Sequence, residues 1–145
     1  MSAFELVQTA ALLSAGAFTG GSLFISLVDH PARVALGPAL GRQHFREMYP
    51  RATALQAPLA ASGAVFGLCA WLLGGGSSWL LEGLCIGAVV PYTLGFMIPL
   101  NRRLMSPVSL TEEQTREQLA AWARRHAVRT VLGAGAFVTA AHAAV

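Results

Sequence analysis

The side chains of this sequence that could do chemistry lie at the ends of long apolar stretches. The clearest pattern is Trp122, His126, Arg129 and Gly133, whose spacing of three or four residues places them on one face of a helix. A histidine at such a boundary can titrate near neutral pH. An arginine so deep in an apolar stretch needs an acceptor or an anionic partner. The pattern therefore indicates a polar stripe that faces the inside of a helix bundle.

Other polar residues are found at the ends of the remaining apolar stretches. Because such ends meet on one side of a bundle, they predict a pocket between facing helices. Gly133 would leave room below the polar stripe of the last helix. The residues that we expect around this pocket are His30, Tyr49, Arg51, Gln56, Asn101, Trp122, His126 and Arg129.

The elements that carry these residues have the composition of a membrane protein. Only 12% of the residues are charged, against about 25% in a typical soluble domain. All ten basic residues are arginines, and they lie in two windows, Arg33–Arg51 and Arg102–Arg129. A pattern of four apolar stretches with charge restricted to two connections predicts an integral membrane protein with a fixed orientation.

The fold predicted from this pattern is an all-α, four-helix transmembrane bundle that forms one domain over residues 1–145. The expected spans cover about residues 4–28, 52–74, 79–100 and 125–144. Asp29-His30-Pro31 should end the first helix, and a short interfacial segment should follow it. Thr111 begins a capping-box sequence, so a helical extension should lead into the fourth span.

The positions of the arginines also predict orientation and partners. With four spans, both windows fall on one side, which the positive-inside rule makes cytoplasmic, and both termini fall on the other side. The absence of lysine and the abundance of Ala and Gly suggest a bacterial plasma membrane. We expect four arginines to set the orientation of the protein in the membrane and to contact lipid head groups rather than nucleic acid. They are Arg42, Arg46, Arg116 and Arg124. Glu82 should be solvated near the outer boundary.

Small residues recur four positions apart in three of the expected spans. This spacing lets helix backbones approach closely in a membrane. It predicts close packing within one bundle, and it would also permit a homo-oligomer through a glycine-rich face. The pairs are Gly16/Gly20, Gly63/Gly67 and Gly83/Gly87.

Motifs of common enzyme classes are missing, and this leaves three hypotheses open. The sequence has no CxxC, HExxH or phosphate-binding glycine loop. His30 and His126 could ligate copper or haem, although two ligands are few for a metal site held by protein alone. A small non-enzymatic accessory subunit is the second hypothesis. The third is an enzyme that works without a metal.

Four short motifs carry a resemblance to a known family. They are Asp29-His30-Pro31-Ala32-Arg33, Tyr49-Pro50-Arg51 with Gln56, Pro99-Leu100-Asn101-Arg102-Arg103, and Trp122-x-x-Arg125-His126-x-x-Arg129-Thr130. In this order, and at helix ends, they resemble the small four-helix membrane proteins of the anthrone oxygenase-like family. The resemblance spans nearly the whole chain.

The resemblance implies a membrane-embedded oxygenase that uses molecular oxygen and no organic cofactor. Its substrate would be a flat, hydrophobic, phenolic molecule such as an anthrone, taken from the bilayer. His30 or His126 would be the base, and Arg129 and Asn101 would hold the developing anion. The remaining expected substrate contacts are Trp122 and Tyr49, which would stack on the rings, with Arg51 and Gln56.

Overall fold

A computed structural model describes all residues from 1 to 145, and the chain is almost entirely helical, which confirms the predicted all-α class. Gly37 and Gly76 make the first two turns, with φ angles of 81° and 84° that favour glycine. Thr111 caps the last helix, with its side chain accepting from the Gln114 backbone N–H over 3.2 Å. The four long helices are α1, Ala3–Ala35; α2, Pro38–Gly75; α3, Ser77–Met105; and α4, Glu112–Ala143.

The helices form an antiparallel bundle in which each packs against its neighbours in the chain and α1 packs against α4. Its buried residues fall into three clusters. The cluster that includes Phe45, Leu104 and Trp122 lies at the end of the bundle that holds the arginines, which we call the arginine end. Phe18 and Ile86 belong to the middle cluster. Alanines and Trp79 fill the opposite end.

Three helices, α1, α2 and α3, are long and apolar enough to cross a membrane. This is consistent with a multi-pass membrane protein. The last helix, α4, is not apolar over a sufficient length, because His126 and Arg129 interrupt it. The apolar stretch that remains, from Thr130 to Ala143, is shorter than the roughly 20 residues that a span needs. Composition and length alone therefore identify three spans, where the sequence had predicted four.

Pro31 does not end the first helix as the sequence predicted. Helix α1 continues through Pro31 to Ala35, directly after a π-helical turn at Ile25–Asp29. Such a turn rearranges the backbone hydrogen bonds around a proline, which is how membrane helices accommodate it. Helix α3 repeats the arrangement, with a π-helical turn at Thr93–Met97 before Pro99.

The expected interfacial segment between the first two spans is absent as a separate element. Helix α2 instead begins at Pro38 and runs unbroken past Pro50 and Pro58. Its first turns extend the bundle beyond the predicted start of the span at residue 52. The residues of this extension therefore pack against α3 and α4 instead of lying free on the membrane surface.

Two arginines of this extension have a structural role that the sequence did not indicate. Arg42 is buried and donates from Nε to the carbonyl oxygen of Leu104 over 3.1 Å. It also reaches the carbonyl oxygens of Ser106 and Val108 at 2.8 and 2.9 Å. Arg46 binds the same segment. Since the last carbonyls of a helix lack intrahelical partners, these arginines cap α3 and hold the following loop.

Glu82 contradicts the expectation of a solvated carboxylate. Its side chain is fully buried, and neither carboxyl oxygen has a hydrogen-bond partner. It packs directly against Gly67, where a side chain would collide with the carboxyl group. Gly63 and Gly83 likewise lie against Ile86 and Leu68 across the interface between α2 and α3. The glycine pairs of these two helices thus serve packing within the bundle.

Gly133 should be far more sensitive to substitution than its neighbour Gly135. The space beside Gly133 is filled by Phe18, and an added Cβ would lie 2.7 Å from the ring carbon Cδ1. We expect Gly133→Ala to lower stability by about 1–3 kcal/mol, measured by thermal unfolding in detergent. A Cβ added at Gly135 meets nothing within 4 Å, so Gly135→Ala should stabilise the helix by up to about 1 kcal/mol. Equal effects of the two variants would contradict tight packing of Phe18.

Candidate functional site

A cavity of about 330 Å³ lies in the half of the bundle nearest the arginine end. Its volume is within the range of small-molecule sites, about 300–1,000 Å³. Helices α2, α3 and α4 form its walls, and Ile25 is the residue through which α1 lines it. Most of the lining is apolar, and alanines form much of the α2 side, at positions 52, 57, 60 and 61.

Most of the predicted site residues are brought together in this cavity. Two are not. His30 lies behind Trp122 and does not line the cavity, and Arg51 points away from it, exposed and paired with Glu47 at 3.1 Å. The predicted residues that do line it are Tyr49, Gln56, Asn101, Trp122, His126 and Arg129.

The indole of Trp122 holds the cavity wall in place. It stacks on the ring of His126 with a centroid distance of 4.6 Å and on the ring of His30 with one of 5.7 Å. The ring of Phe45 meets it edge-on at 5.5 Å. Only 3% of Trp122 is exposed. The orientation of His126 in the cavity wall is therefore fixed by an immobile aromatic neighbour.

Hydrogen bonds tie the same indole to α3 and α2. Trp122 donates from Nε1 to Oδ1 of Asn101 over 2.9 Å, and Asn101 donates from Nδ2 to the hydroxyl oxygen of Tyr49 over 2.9 Å. Trp122 and Asn101 are both 3% exposed. Because Tyr49 accepts here, its own O–H remains available as a donor toward the cavity.

A second chain of hydrogen bonds links His126 to α1. The hydroxyls of Ser26 and Thr130 are 3.0 Å apart, and the Ser26 hydroxyl is 3.1 Å from Nδ1 of His126. When Thr130 donates to the carbonyl oxygen of His126, 3.3 Å away, it accepts from Ser26, and Ser26 then accepts from Nδ1–H of His126. In this arrangement the ring nitrogen Nε2 keeps its lone pair and has no side-chain partner.

Arg129 supplies a positive charge to the same wall. Its side chain is half-buried, its Nε has no hydrogen-bond partner, and its guanidinium carbon lies 5.6 Å from the ring centroid of Phe18. No Asp or Glu lines the cavity. An arginine in an apolar setting without a carboxylate partner favours an anionic ligand. The cavity thus offers a proton acceptor beside an uncompensated cation.

The amide of Gln56 is fixed on the opposite side of the cavity. Its Oε1 accepts from the hydroxyl of Ser22 over 3.2 Å, and its Nε2 donates to the carbonyl oxygen of Phe18 over 3.4 Å. Both partners lie on α1. Gln56 therefore joins α2 to α1 and presents a polar edge to the cavity.

A comparison with known protein families identifies the family to which the chain belongs. The sequence model of the anthrone oxygenase family matches residues 45–139, roughly two-thirds of the chain. The chain belongs to the anthrone oxygenase family. This confirms the resemblance drawn from the sequence motifs. Neither a curated protein nor a solved structure matches the chain. The matched residues include every predicted residue that lines the cavity and exclude Ser26 and His30.

The potential metal ligands of this anthrone oxygenase family member are scattered. No group of three or more His, Cys, Asp or Glu side chains is placed to hold a metal ion. A copper or haem centre would depend on His30 and His126, and both rings are packed on Trp122. A metal between them would have to displace this indole and its hydrogen bond to Asn101.

Sequence reasoning missed two groups of residues around the site. The first is the hydroxyl stripe of α1, Ser22 and Ser26, which lie four residues apart and so share one helix face. The second is Arg33, which is fully buried and pairs with Asp29. Its guanidinium lies over the ring of Trp122, 5.2 Å from the centroid. Spacing could have revealed the stripe, whereas the burial of Arg33 depends on contacts between helices.

Asn101→Ala should destabilise this family member by leaving the indole N–H of Trp122 buried without a partner. The expected cost is about 1–3 kcal/mol, measured by thermal unfolding. The matched background is Trp122→Phe, which removes the donor and keeps an aromatic ring. In the Trp122→Phe background, Asn101→Ala should lower the stability clearly less than it does in the wild type. Equal costs in the two backgrounds would show that the hydrogen bond does not carry the effect.

Proposed function

We propose that this protein is a membrane-embedded oxygenase that oxidises a flat, hydrophobic phenolic ketone with molecular oxygen. One observation carries the proposal. His126 and Arg129 lie about one helical turn apart in the wall of a mostly apolar cavity; His126 is hydrogen-bonded through Nδ1, and Nε of Arg129 has no partner. A base and a cation are the groups that proton abstraction from a carbon conjugated with a ketone requires. The family membership supports the same chemistry.

For an anthrone, the proposed reaction consumes one O₂ and forms an anthraquinone and water. His126 removes a proton from the methylene carbon, which lies opposite the ketone. The resulting enolate is electron-rich and passes one electron to O₂, and the two radicals combine to a peroxide anion on that carbon, which takes the proton back from His126 to give a hydroperoxide. Loss of the remaining C–H proton and cleavage of the O–O bond then give the second ketone and release water.

The contacts of the predicted residues support the following division of roles. His126 is the base, because it lines the cavity while His30 does not. Arg129 stabilises the enolate oxygen, and the free O–H of Tyr49 donates to a ligand oxygen. Asn101 acts through Trp122 and Tyr49, whose positions it fixes. His30 supports the far side of the indole stack.

The substrate itself can supply the electrons in this reaction, so we propose that no organic cofactor or metal takes part. An enolate conjugated with phenolic rings can reduce O₂ directly. The protein then needs to exclude water, hold the substrate and take the proton. The apolar lining and the fixed base suit these tasks.

We propose that α4 is a fourth span, with the arginine end of the bundle at the cytoplasmic face. In the closed bundle, α4 packs along α1 and α3, so the three apolar helices carry it into the membrane. Its polar residues Trp122, His126 and Thr130 are buried inside the bundle and need no lipid contact. All ten arginines then lie on the cytoplasmic side, and both termini lie on the other side.

His126→Ala should abolish oxygen uptake by the purified protein supplied with an anthrone in detergent or nanodiscs. A positioned base contributes about 10²–10⁴-fold to the rate, and we expect a loss of this size in kcat. His142→Ala is the control, since this histidine is exposed near the end of α4. His30→Ala should lower the rate less than His126→Ala does. Full turnover in His126→Ala would show that this histidine is not the base.

Ser26→Ala should lower kcat by about ten-fold and leave KM unchanged. The variant removes the hydrogen bond that holds His126 in the Nδ1–H tautomer, and a net hydrogen bond is worth about 1–1.5 kcal/mol. Ser26→Thr keeps the hydroxyl and should restore most of the activity. The control is Thr139→Val, because this hydroxyl bonds only within its own helix. A rise in KM alone, or no rescue by Ser26→Thr, would contradict a role in setting the tautomer.

A further inference from the structure

The cavity opens sideways from the bundle, between α2 and α3. Its rim residues on both helices are exposed on the outer surface of the bundle while they also line the cavity. On α2 these are Thr53, Ala57 and Ala61, and on α3 they are Val90 and Leu94. Both helices are long and apolar enough to cross a membrane. Such a mouth therefore faces lipid acyl chains.

The polar groups of the cavity lie across from this mouth. Trp122, His126 and Arg129 all belong to α4, which forms the back wall. The rim carries one hydroxyl, that of Thr53, and no charge. A molecule that enters from the side therefore meets an apolar rim first and the base and cation last.

The back of the cavity is closed. Ala60 is 2% exposed and Ile25 is 8% exposed, and they line the cavity where α2 and α1 meet. Gln56 is fixed to α1 by its two hydrogen bonds in the same region. A ligand thus cannot pass through the bundle, and whatever part of it exceeds the cavity must remain at the mouth.

We propose that the site takes an amphiphilic ligand from the bilayer end-on, with its ketone and its methylene carbon both beside α4 and its hydrocarbon end at the mouth. The chemistry at α4 rests on the proposed function. The new element is this orientation, which extends the substrate class to ring systems that carry an alkyl chain. A flat ring system with the chain on an outer ring, remote from the oxygens, fits, because the chain lies among the acyl chains of the lipid. The same chain beside the oxygens collides with α4.

Two variants at the mouth test the route. A hydroxyanthraquinone, which resembles the product and is not turned over, serves as the probe, and its binding to the protein in lipid nanodiscs is measured by its own fluorescence. Ala57→Trp and Ala61→Trp place a bulky side chain in the mouth and should each weaken binding by at least about ten-fold. Ala127→Trp is the matched control, because Ala127 is an exposed α4 residue outside the cavity. Its affinity should equal that of the wild type.

A second measurement uses only the wild-type protein, so it holds even if a tryptophan variant fails to fold. Two probes carry the same octyl chain, one on the ring edge remote from the oxygens and one beside them. The first should bind at least as tightly as the unsubstituted probe, and the second should lose at least about ten-fold in affinity. Equal binding of both octyl probes, or normal binding by both mouth variants, would overturn the proposal.

Failure of the proposed orientation in these binding experiments can be distinguished from failure of the proposed oxygenase reaction. If the probe binds and depends on Ala57 and Ala61, but no anthrone consumes oxygen, the orientation stands and the reaction is wrong. If oxygen uptake depends on His126 while both mouth variants turn over substrate normally, the reaction stands and the side route is wrong.

Discussion

The arginine end of the bundle depends on the burial of a single side chain, the indole of Trp122. It belongs to α4 and contacts each of the other three helices: the ring of His30 on α1, the ring of Phe45 on α2 and the amide of Asn101 on α3. An indole has one donor and two apolar faces, and all are used here. Since this contact sets the distance between the helices, it also sets the width of the cavity beside it.

The apolar surroundings force the polar groups near Trp122 to satisfy one another. Water is scarce in such an environment, and an unpaired hydrogen-bonding group there is costly. Most of these groups are therefore paired in short chains, through Asn101 on one side and through Ser26 and Thr130 on the other. In the cavity wall the chains leave over the lone pair of His126, the O–H of Tyr49 and the charge of Arg129. The polar groups available to a ligand are thus those whose hydrogen-bonding capacity is not used within the bundle.

Two π-helical turns place residues of this site. The turn at Ile25–Asp29 carries Ser26, which bonds to His126, and Ile25, which closes the back of the cavity. The turn at Thr93–Met97 carries Thr93, which lines the cavity from α3. Each precedes a proline by two residues, so the backbone adjustment that accommodates the proline also shifts the helix face beside the site.

The sequence by itself determined the class of protein, the helical fold and the polar stripe of α4, because apolar length and helical spacing are local properties. The family followed from motifs that are also local. Only the tertiary structure decided that His126 and not His30 lines the cavity, that Arg51 points away, that Arg42 caps α3 and that Glu82 is buried. The physical reason is that lipid is as apolar as the core, so hydropathy does not distinguish an inward face from an outward one. Which faces meet is settled by shape and hydrogen bonding between helices that are far apart in the chain.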